Sequence, residues 1–341
     1  MRGKALMLGA VLLAMPACKR ARPAVADWVA STPAASAAAV SGQAGWLVAN
    51  PGFQSFMAQQ PMVEQALDLF LQKARINPKD ETGRITIHML RGMESLPKER
   101  MLARGFLIQL AQFKDPKALV GALAASFPPE GTLRLEGRDC PLFVILDIES
   151  GETKAHLRAA VDPDHRIWIG DIEALTALST EQEFGSRKQL LAAASWVNPK
   201  ATFQGFLEPE GLLASLRQKL PETLNKDLPQ GIEALVWGVT PGPTEKSPYL
   251  LELALAGKAE GIEQAVPWLQ RVGAAAGSVQ SGSLPPPDIL KEKERAGLRM
   301  SLTADQLKSV MEKLGQPYLS FGPGHAPQNG QAPAPARPGR L

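Results

Sequence analysis

Cysteine is almost absent from this chain, which has two in 341 residues, Cys18 and Cys140. If Cys18 is modified, no intrachain disulfide can form, and the folded body must depend on its hydrophobic core. Cys140 precedes a proline and an apolar run. That context is typical of a small buried side chain rather than of a nucleophile.

Histidine and clustered charge are also scarce. The four histidines have no partner at metal-ligand spacing, so the sequence indicates neither a metal nor a cofactor. They are His88, His156, His165 and His325. Without the seven basic residues near the two ends of the chain, 30 basic and 34 acidic residues remain. A body of that charge lacks the basic face that nucleic-acid binding requires.

Long hydrophobic runs are missing too, and the longest near the N-terminus, Ala5–Met15, is too short to span a bilayer. Basic Arg2 and Lys4 precede this run, and small residues follow it. The order of basic, apolar and small residues is typical of an export signal.

The end of this signal, Met15-Pro16-Ala17-Cys18, resembles the lipobox of bacterial prolipoproteins. The resemblance implies that residues 1–17 are a signal peptide and that acylated Cys18 binds membrane lipid. Lys19 after the cysteine resembles the class that is sorted to the outer rather than the inner membrane. The expected location is the cell envelope, facing the periplasm. Alternatively, cleavage after Ala24-Val25-Ala26 gives a soluble periplasmic protein beginning at Asp27.

Composition marks both ends of the body. Residues 18–41 are rich in Ala, Pro and Ser, and we interpret them as a lipid anchor and flexible tether. Residues 322–341 alternate Gly, Pro, Ala and Gln without an apolar period, which predicts a disordered tail.

The body itself contains an internal repeat. Phe106–Leu123 aligns without gaps on Tyr249–Val266, apolar on apolar. Two shorter correspondences flank it. Ala155–Arg158 matches Ala296–Arg299, and Gly45–Leu47 matches Gly205–Leu207. We therefore predict two degenerate tandem modules, residues 42–185 and 190–320.

The modules are predicted to be α+β, with mostly antiparallel sheets and helices packed on one face. In Arg84–Leu90 apolar residues alternate with Thr86 and His88, which we expect to face solvent, as in a half-buried strand. The turns at residues 149–151 and 162–164 are too short to contain crossover helices, so the strands that they join must be antiparallel. The other predicted strands are Gly45–Ala49, Leu142–Ile148, Lys154–Val161 and Arg166–Ile169, the last without a counterpart in the second module. Predicted helix starts lie at Asp115-Pro116 and at two capping boxes, Thr180–Glu183 and Thr303–Gln306.

A two-module body behind a lipobox is similar in layout to a group of exported bacterial proteins that are classified only by a domain of unknown function. The resemblance covers most of the chain loosely. It implies no catalytic motif and no site residues.

Several residue patterns were weighed as chemical sites, and each favours a structural interpretation. Asp162-Pro163-Asp164-His165, with Glu173 at the twelfth position, lacks the glycine of a calcium loop and reads as a hairpin turn. Ser95-Leu96-Pro97-Lys98 matches S-x-x-K but lacks its companion motifs. The carboxylate pairs Asp147/Glu149 and Asp171/Glu173 are each two residues apart in sequence, which does not give the separation in space that glycoside hydrolysis requires. No catalytic residue is assigned.

The large aromatic residues are expected in the core rather than at a ligand site. They are Trp46, Trp168, Trp237 and Trp268. With no site to assign, we expect a membrane-tethered, non-enzymatic binding or scaffolding module, with an envelope protein as its partner. Two alternatives stay open, an envelope hydrolase whose residues meet only in the fold and a carrier of lipid or another apolar ligand.

Overall fold

The computed structural model describes thirteen parts of the chain. They are residue 29 and residues 32–49, 61–77, 82–91, 106–113, 116–135, 137–150, 153–162, 166–179, 187–208, 229–244, 247–277 and 287–307. Residues 1–28, 180–186 and 308–341 lie outside this description. Cys18, the capping box at Thr180 and the predicted tail therefore stay predictions.

The described strands form one antiparallel sheet in the order β11-β12-β10-β9-β8-β1-β2-β3-β7-β6-β5-β4. In chain order they are β1 (Ser36–Gln43), β2 (Thr82–Leu90), β3 (Phe106–Phe113), β4 (Pro129–Leu135), β5 (Arg138–Ser150), β6 (Thr153–Val161), β7 (Ile167–Asp171), β8 (Phe203–Leu207), β9 (Ile232–Thr244), β10 (Ser247–Gly257), β11 (Asp288–Lys291) and β12 (Arg295–Leu302). The helices are α1 (Ala44–Ala49), α2 (Pro61–Lys73), α3 (Pro116–Ser126), α4 (Ile172–Ser179), α5 (Lys188–Ala194) and α6 (Ala259–Gly277). The predicted α+β class with antiparallel strands is confirmed.

β1 lies near the middle of the sheet, between β2 and β8. Residues 36–41, which we assigned to the tether, belong to it, so that boundary was wrong. Three alanines, Ala37 to Ala39, are almost completely buried there. Small side chains let neighbouring layers pack closely. In the sequence alone, the same Ala- and Ser-rich composition indicated a segment that buries little apolar surface.

The predicted strand at Gly45–Ala49 is also wrong, because these residues form α1. The chain turns back at once, and Leu47 covers Gly42 so closely that an added Cβ there would lie 2.7 Å from the leucine Cγ. Glycine at this position lets the helix pack on its own strand.

Other predicted elements are confirmed by the structure. β2, β5 and β6 contain three of the remaining predicted strands, β7 overlaps the fourth but begins at Ile167 instead of Arg166, and α3 begins at Pro116. Both hydrogen bonds of the predicted capping box after β12 are formed. The Thr303 N–H donates to Gln306 Oε1 at 2.9 Å, and the Gln306 N–H donates to Thr303 Oγ1 at 3.2 Å.

Helices cover both faces of the sheet, not one as predicted. α6 packs on the face that carries Leu251, Leu253 and Leu255 of β10. α5 packs on the opposite face, against Ala254 and Ala256. Both faces of β10 are apolar, so each requires a covering layer.

The proposed repeat stays a prediction, with some support from the strand order. β3 and β10 occupy corresponding positions outward from the β1–β8 pair. In each half a helix begins ten residues after the aligned strand residue, at Pro116 after Phe106 and at Ala259 after Tyr249. The shorter correspondences fail. β7 rather than β6 lies beside β3, as β12 lies beside β10, and α1 is no counterpart of β8.

Candidate functional site

A row of mostly polar side chains crosses one face of the sheet, on directly opposed positions of eight strands. In order it contains Arg299, Glu252, Gly238, Gln204, Ser41, Thr86, Gln109 and Trp168. We call it the polar row. All its members except Arg299 are buried. Buried polar groups of this kind must find hydrogen-bond partners within the protein.

At the centre of the polar row, hydroxyl groups join β1 to β2. Ser41 Oγ and Thr86 Oγ1 lie 2.8 Å apart. Arg84 Nη1 donates to Ser41 Oγ at 2.9 Å, and burial lowers the pKa of this guanidinium. Gln204, opposite Ser41 on β8, has a buried Nε2 that finds no hydrogen-bond partner among the residues that the structure describes. The sheet centre is therefore polar but incompletely satisfied.

His88 lies two residues after Thr86 on β2, and its side chain is therefore on the same face of the sheet. Its Nδ1 lies 3.2 Å from Ser36 Oγ, while its buried Nε2 accepts or donates no hydrogen bond within the described ranges. Burial lowers the pKa of His88 to about 3, an effect that Gln109 opposes in part and the charge of Arg187 increases. The imidazole is consequently neutral at physiological pH.

Arg187 fixes the chain at the start of β1. Its guanidinium donates to the carbonyl oxygens of Thr32 at 3.1 Å and Ser36 at 2.6 Å. The Arg187 Nε also lies 3.5 Å from Glu208 Oε1. Glu208 forms a second ion pair with Arg91, the residue that follows β2. Burial, with the nearby charge of Arg91, lowers the pKa of Arg187 to about 10. This group joins the residues before β1 to the ends of β2 and β8.

At the other end of the polar row, Glu252 is buried and fully engaged. Its Oε2 accepts from the Asn198 N–H at 2.7 Å, and its Oε1 accepts from Arg299 at 2.7 and 3.0 Å. These contacts attach the segment after α5 to β10 and β12. A buried carboxylate of this kind stabilises the fold only while both partners remain.

A second charged cluster lies on β4, β5 and β6. Arg158, whose side chain is 7% exposed, donates through two nitrogens to Glu130 and through Nη1 to Asp147 at 2.6 Å. Glu130 raises the pKa of Arg158, and Arg158 in turn lowers the pKa of Asp147. His156 Nδ1 lies 3.1 Å from Asp147 Oδ1. We call these four residues the Arg158 cluster.

The turn that resembled a calcium loop is closed by its own side chains. Asp162 Oδ1 accepts from the Arg166 N–H at 3.0 Å, and Asp162 Oδ2 accepts from Arg166 Nε at 2.5 Å and Trp168 Nε1 at 3.2 Å. The hairpin interpretation is therefore confirmed for Asp162, while residues 163–165 lie outside the described residues. Across the described ranges, no three His, Cys, Asp or Glu side chains form a group that could hold a metal ion.

The structure brings few of the candidate residues together. Asp147 meets His156, and Asp171 Oδ2 accepts from the His156 N–H at 2.9 Å. Glu173 is exposed at the start of α4. The other candidates, His165, His325, Ser95, Lys98 and the side chain of Glu149, lie outside the described residues.

The core assignments are largely confirmed. Trp168, Trp237 and Trp268 are at most 8% exposed, and Trp46 is half-buried. Cys140 is buried, and its Sγ contacts the carbonyl oxygen of Arg138 at 3.5 Å.

Sequence reasoning missed the polar row and the Arg187 contacts. Thr86 and His88 were expected to face solvent, yet both are 1% exposed. A signal was present in the polar residue that each of several apolar strands carries at its centre. The sequence did not show that these residues lie at the same level of one sheet.

Comparison with known proteins gives no relative from which a function can be carried over. No family model, no curated protein and no solved structure matches this chain. No helix within the described part of the chain is both long and apolar enough to cross a bilayer.

Proposed function

We propose that this protein is a lipid-anchored component of the bacterial cell envelope that binds or scaffolds other envelope molecules. The proposal combines the lipobox-like Met15–Cys18 with the position of Val29, the first residue that the structure describes. Val29 is 2% exposed, and its carbonyl oxygen accepts from the Thr32 N–H. Acylated Cys18 would thus be separated from packed protein by eleven residue steps, a reach of at most ~40 Å.

This short reach is the observation that carries the proposal. A connection of at most that length would hold the sheet beside the headgroup region instead of letting it range through the periplasm. The fatty chains supply the membrane affinity, because each buried CH₂ contributes about 0.8 kcal/mol. The body needs no membrane-spanning element for this purpose.

Binding is favoured over the hydrolase alternative by the placement of the polar groups. Ser36 and His88 form a serine–histidine contact, but Ser36 is 0% and His88 1% exposed. A substrate cannot reach them while the sheet is intact. Exposed features of the described residues include the outer strands β4 and β11 and the Glu130, Asp147 and His156 side chains of the Arg158 cluster, which suit contact with another surface.

Replacement of the anchoring cysteine tests the proposal. In Cys18→Ala we expect loss of fatty-acid labelling and a shift of the protein from the membrane to the soluble fraction, or accumulation of an uncleaved precursor. Cys140→Ala is the matched control, because it removes the other cysteine from a buried position and should leave fractionation unchanged. Fatty-acid labelling of Cys18→Ala equal to that of the parent chain, or equal membrane association of a processed Cys18→Ala chain, would refute the anchor.

A further inference from the structure

The two large apolar side chains that are strongly exposed in the described part of the chain lie on the same face of the sheet. Leu191 is 40% exposed and lies on α5, which packs on the face that carries Ala254 of β10. Leu290 of β11 is 44% exposed and is directly opposite Gly297 of β12, which is in turn opposite Ala254. Directly opposed residues of neighbouring strands extend to the same face, so Leu290 extends to the face that α5 covers.

A series of contacts connects these two leucines. The Trp196 ring rests on Gly297, where an added Cβ would lie 2.9 Å from the ring. The Arg295 Cζ lies 4.9 Å from the centroid of the same ring, and Arg295 Nη1 donates to Ser195 Oγ at 3.1 Å. Ser195 lies one helical turn after Leu191, and its N–H donates to the Leu191 carbonyl oxygen at 3.1 Å. We call this surface the tryptophan strip, and its members are Leu191, Ser195, Trp196, Leu290 and Arg295.

The chain enters the fold beside the tryptophan strip. Val29, the first described residue, belongs to the same apolar cluster as the buried side of α5, and Trp196 packs against that cluster. Arg187, the residue before α5, donates to the Thr32 carbonyl oxygen at 3.1 Å. The segment that leads from Cys18 therefore reaches the body near the start of α5, on the face that carries the strip.

From this placement we infer that the tryptophan strip rests on the phospholipid surface in which Cys18 is anchored. The anchor itself is taken from the proposed function. Eleven residue steps, a reach of at most ~40 Å, separate Cys18 from Val29, so this face stays within reach of the headgroups. Trp196, which is partly exposed, suits a boundary between apolar and polar layers, because the indole has an apolar body and a polar N–H. The two leucines then bury their exposed surface at the boundary of headgroups and acyl chains.

The charges on this face are of both signs, so the apolar side chains must supply the contact. Arg295 forms an ion pair with Glu292, and Arg299 forms one with Glu252. Asp288, opposite Arg299 in the ladder, is exposed on the same face. Because the face has no excess of basic residues, it should bind zwitterionic and anionic bilayers alike. Two leucines give a weak contact, which becomes effective because the anchor raises the local concentration of the lipid surface.

Quenching by spin-labelled lipid shows which face meets the bilayer. The mature acylated protein is reconstituted into vesicles of phosphatidylethanolamine and phosphatidylglycerol that contain a lipid with a nitroxide on its acyl chain. Leu290→Cys carries a thiol-linked fluorophore, and the buried Cys140 is left unlabelled. Gln270→Cys, exposed on α6 on the opposite face, is the matched control. The label at residue 290 should be quenched, and the label at residue 270 should keep its intensity.

Substitution of both leucines tests the apolar contact without the fatty acids. The probe is the chain of residues 18–341 with Cys18→Ala, mixed with phosphatidylcholine vesicles and separated by flotation. Leu191→Ser with Leu290→Ser should lower the partition coefficient about tenfold, because the exposed parts of two leucines no longer transfer into lipid. Leu191→Met with Leu290→Met keeps the apolar surface and is the matched control. Both positions are exposed, so each pair of substitutions should leave the thermal unfolding temperature unchanged.

The inference is overturned if the labels at residues 290 and 270 are quenched equally, or if the serine pair partitions as the parent chain does. The anchor is tested separately from the strip. An acylated, membrane-bound chain whose label at residue 290 is not quenched would contradict the strip alone, in favour of a protein as its occupant. An unmodified Cys18 in cells, together with flotation that depends on the two leucines, would contradict the anchor alone.

Discussion

His88 is a histidine that the fold keeps uncharged. Its ring is buried beside Trp168, with ring centroids 5.4 Å apart, and its Nδ1 lies 3.2 Å from Ser36 Oγ. Burial disfavours the protonated, charged ring, and the charge of Arg187 adds to this effect, so the pKa of His88 is lowered.

The free energy of unfolding should therefore fall on acidification, because His88 takes up a proton when the chain unfolds. Its pKa is about 3 in the folded chain, against about 6.5 when unfolded, so the unfolded chain binds more protons between these values. The histidine's contribution is complete above pH 6.5 and is lost as the pH falls towards 3, at up to about 1.4 kcal/mol per pH unit. Urea unfolding of the parent and His88→Phe at pH 7 and pH 4 measures it. The parent should lose more free energy of unfolding than the variant; equal losses would contradict the assignment.

Two glycines give opposite predictions. An alanine Cβ at Gly205 would lie 2.2 Å from the Trp237 ring, so Gly205→Ala should lower the free energy of unfolding by about 1–3 kcal/mol. At Gly45, on the exposed side of α1, nothing lies within 4 Å. Gly45→Ala should therefore be neutral or stabilising by up to about 1 kcal/mol. Thermal unfolding of both variants checks this, and a harmless Gly205→Ala would show that Trp237 is not held against β8.

At the scale of elements, Arg187 holds β1 in the sheet. In Arg187→Met the carbonyl oxygens of Thr32 and Ser36 each lose a guanidinium donor, and Glu208 loses one of its two described cation partners. We expect a loss of about 2–5 kcal/mol of unfolding free energy, because a buried charge loses a partner. Hydrogen exchange should accelerate across β1 more than across β6. Uniform acceleration, or none, would mean that the contact does not act locally.

The elements that could be predicted are those with a strong local signal. β2 alternates apolar and polar residues, and α3 begins with proline. β1 could not be predicted in this way, because its alanines and serines are the composition of a linker as well as of a crowded strand. Length and periodicity do not distinguish these two cases.

The candidate polar site was beyond prediction for a different reason. Ser41 and Thr86 are 45 positions apart in the chain, and Arg187 and Ser36 are 151 apart. Which polar residues meet depends on strand register, and a shift of one residue would turn each side chain to the opposite face. The sequence specified the residue types but not their partners.

At the scale of the whole molecule, the described chain forms one sheet that runs from β4 to β11 without interruption. β1 and β8 form the junction between the two halves through five residue pairs, from Ala38–Leu207 to Gly42–Phe203. Two predicted modules are therefore joined by backbone pairing and not by a linker alone. Partners that bind at either outer strand would be displayed at opposite ends of the same sheet.

The central claim is that this body is held at a membrane through Cys18, and the mass of the mature N-terminus tests it most directly. After proteolysis of the protein isolated from envelopes, mass spectrometry should find an N-terminal peptide that begins at Cys18 and carries the added mass of fatty acyl chains. An unmodified N-terminal peptide that begins at Asp27 would contradict the account.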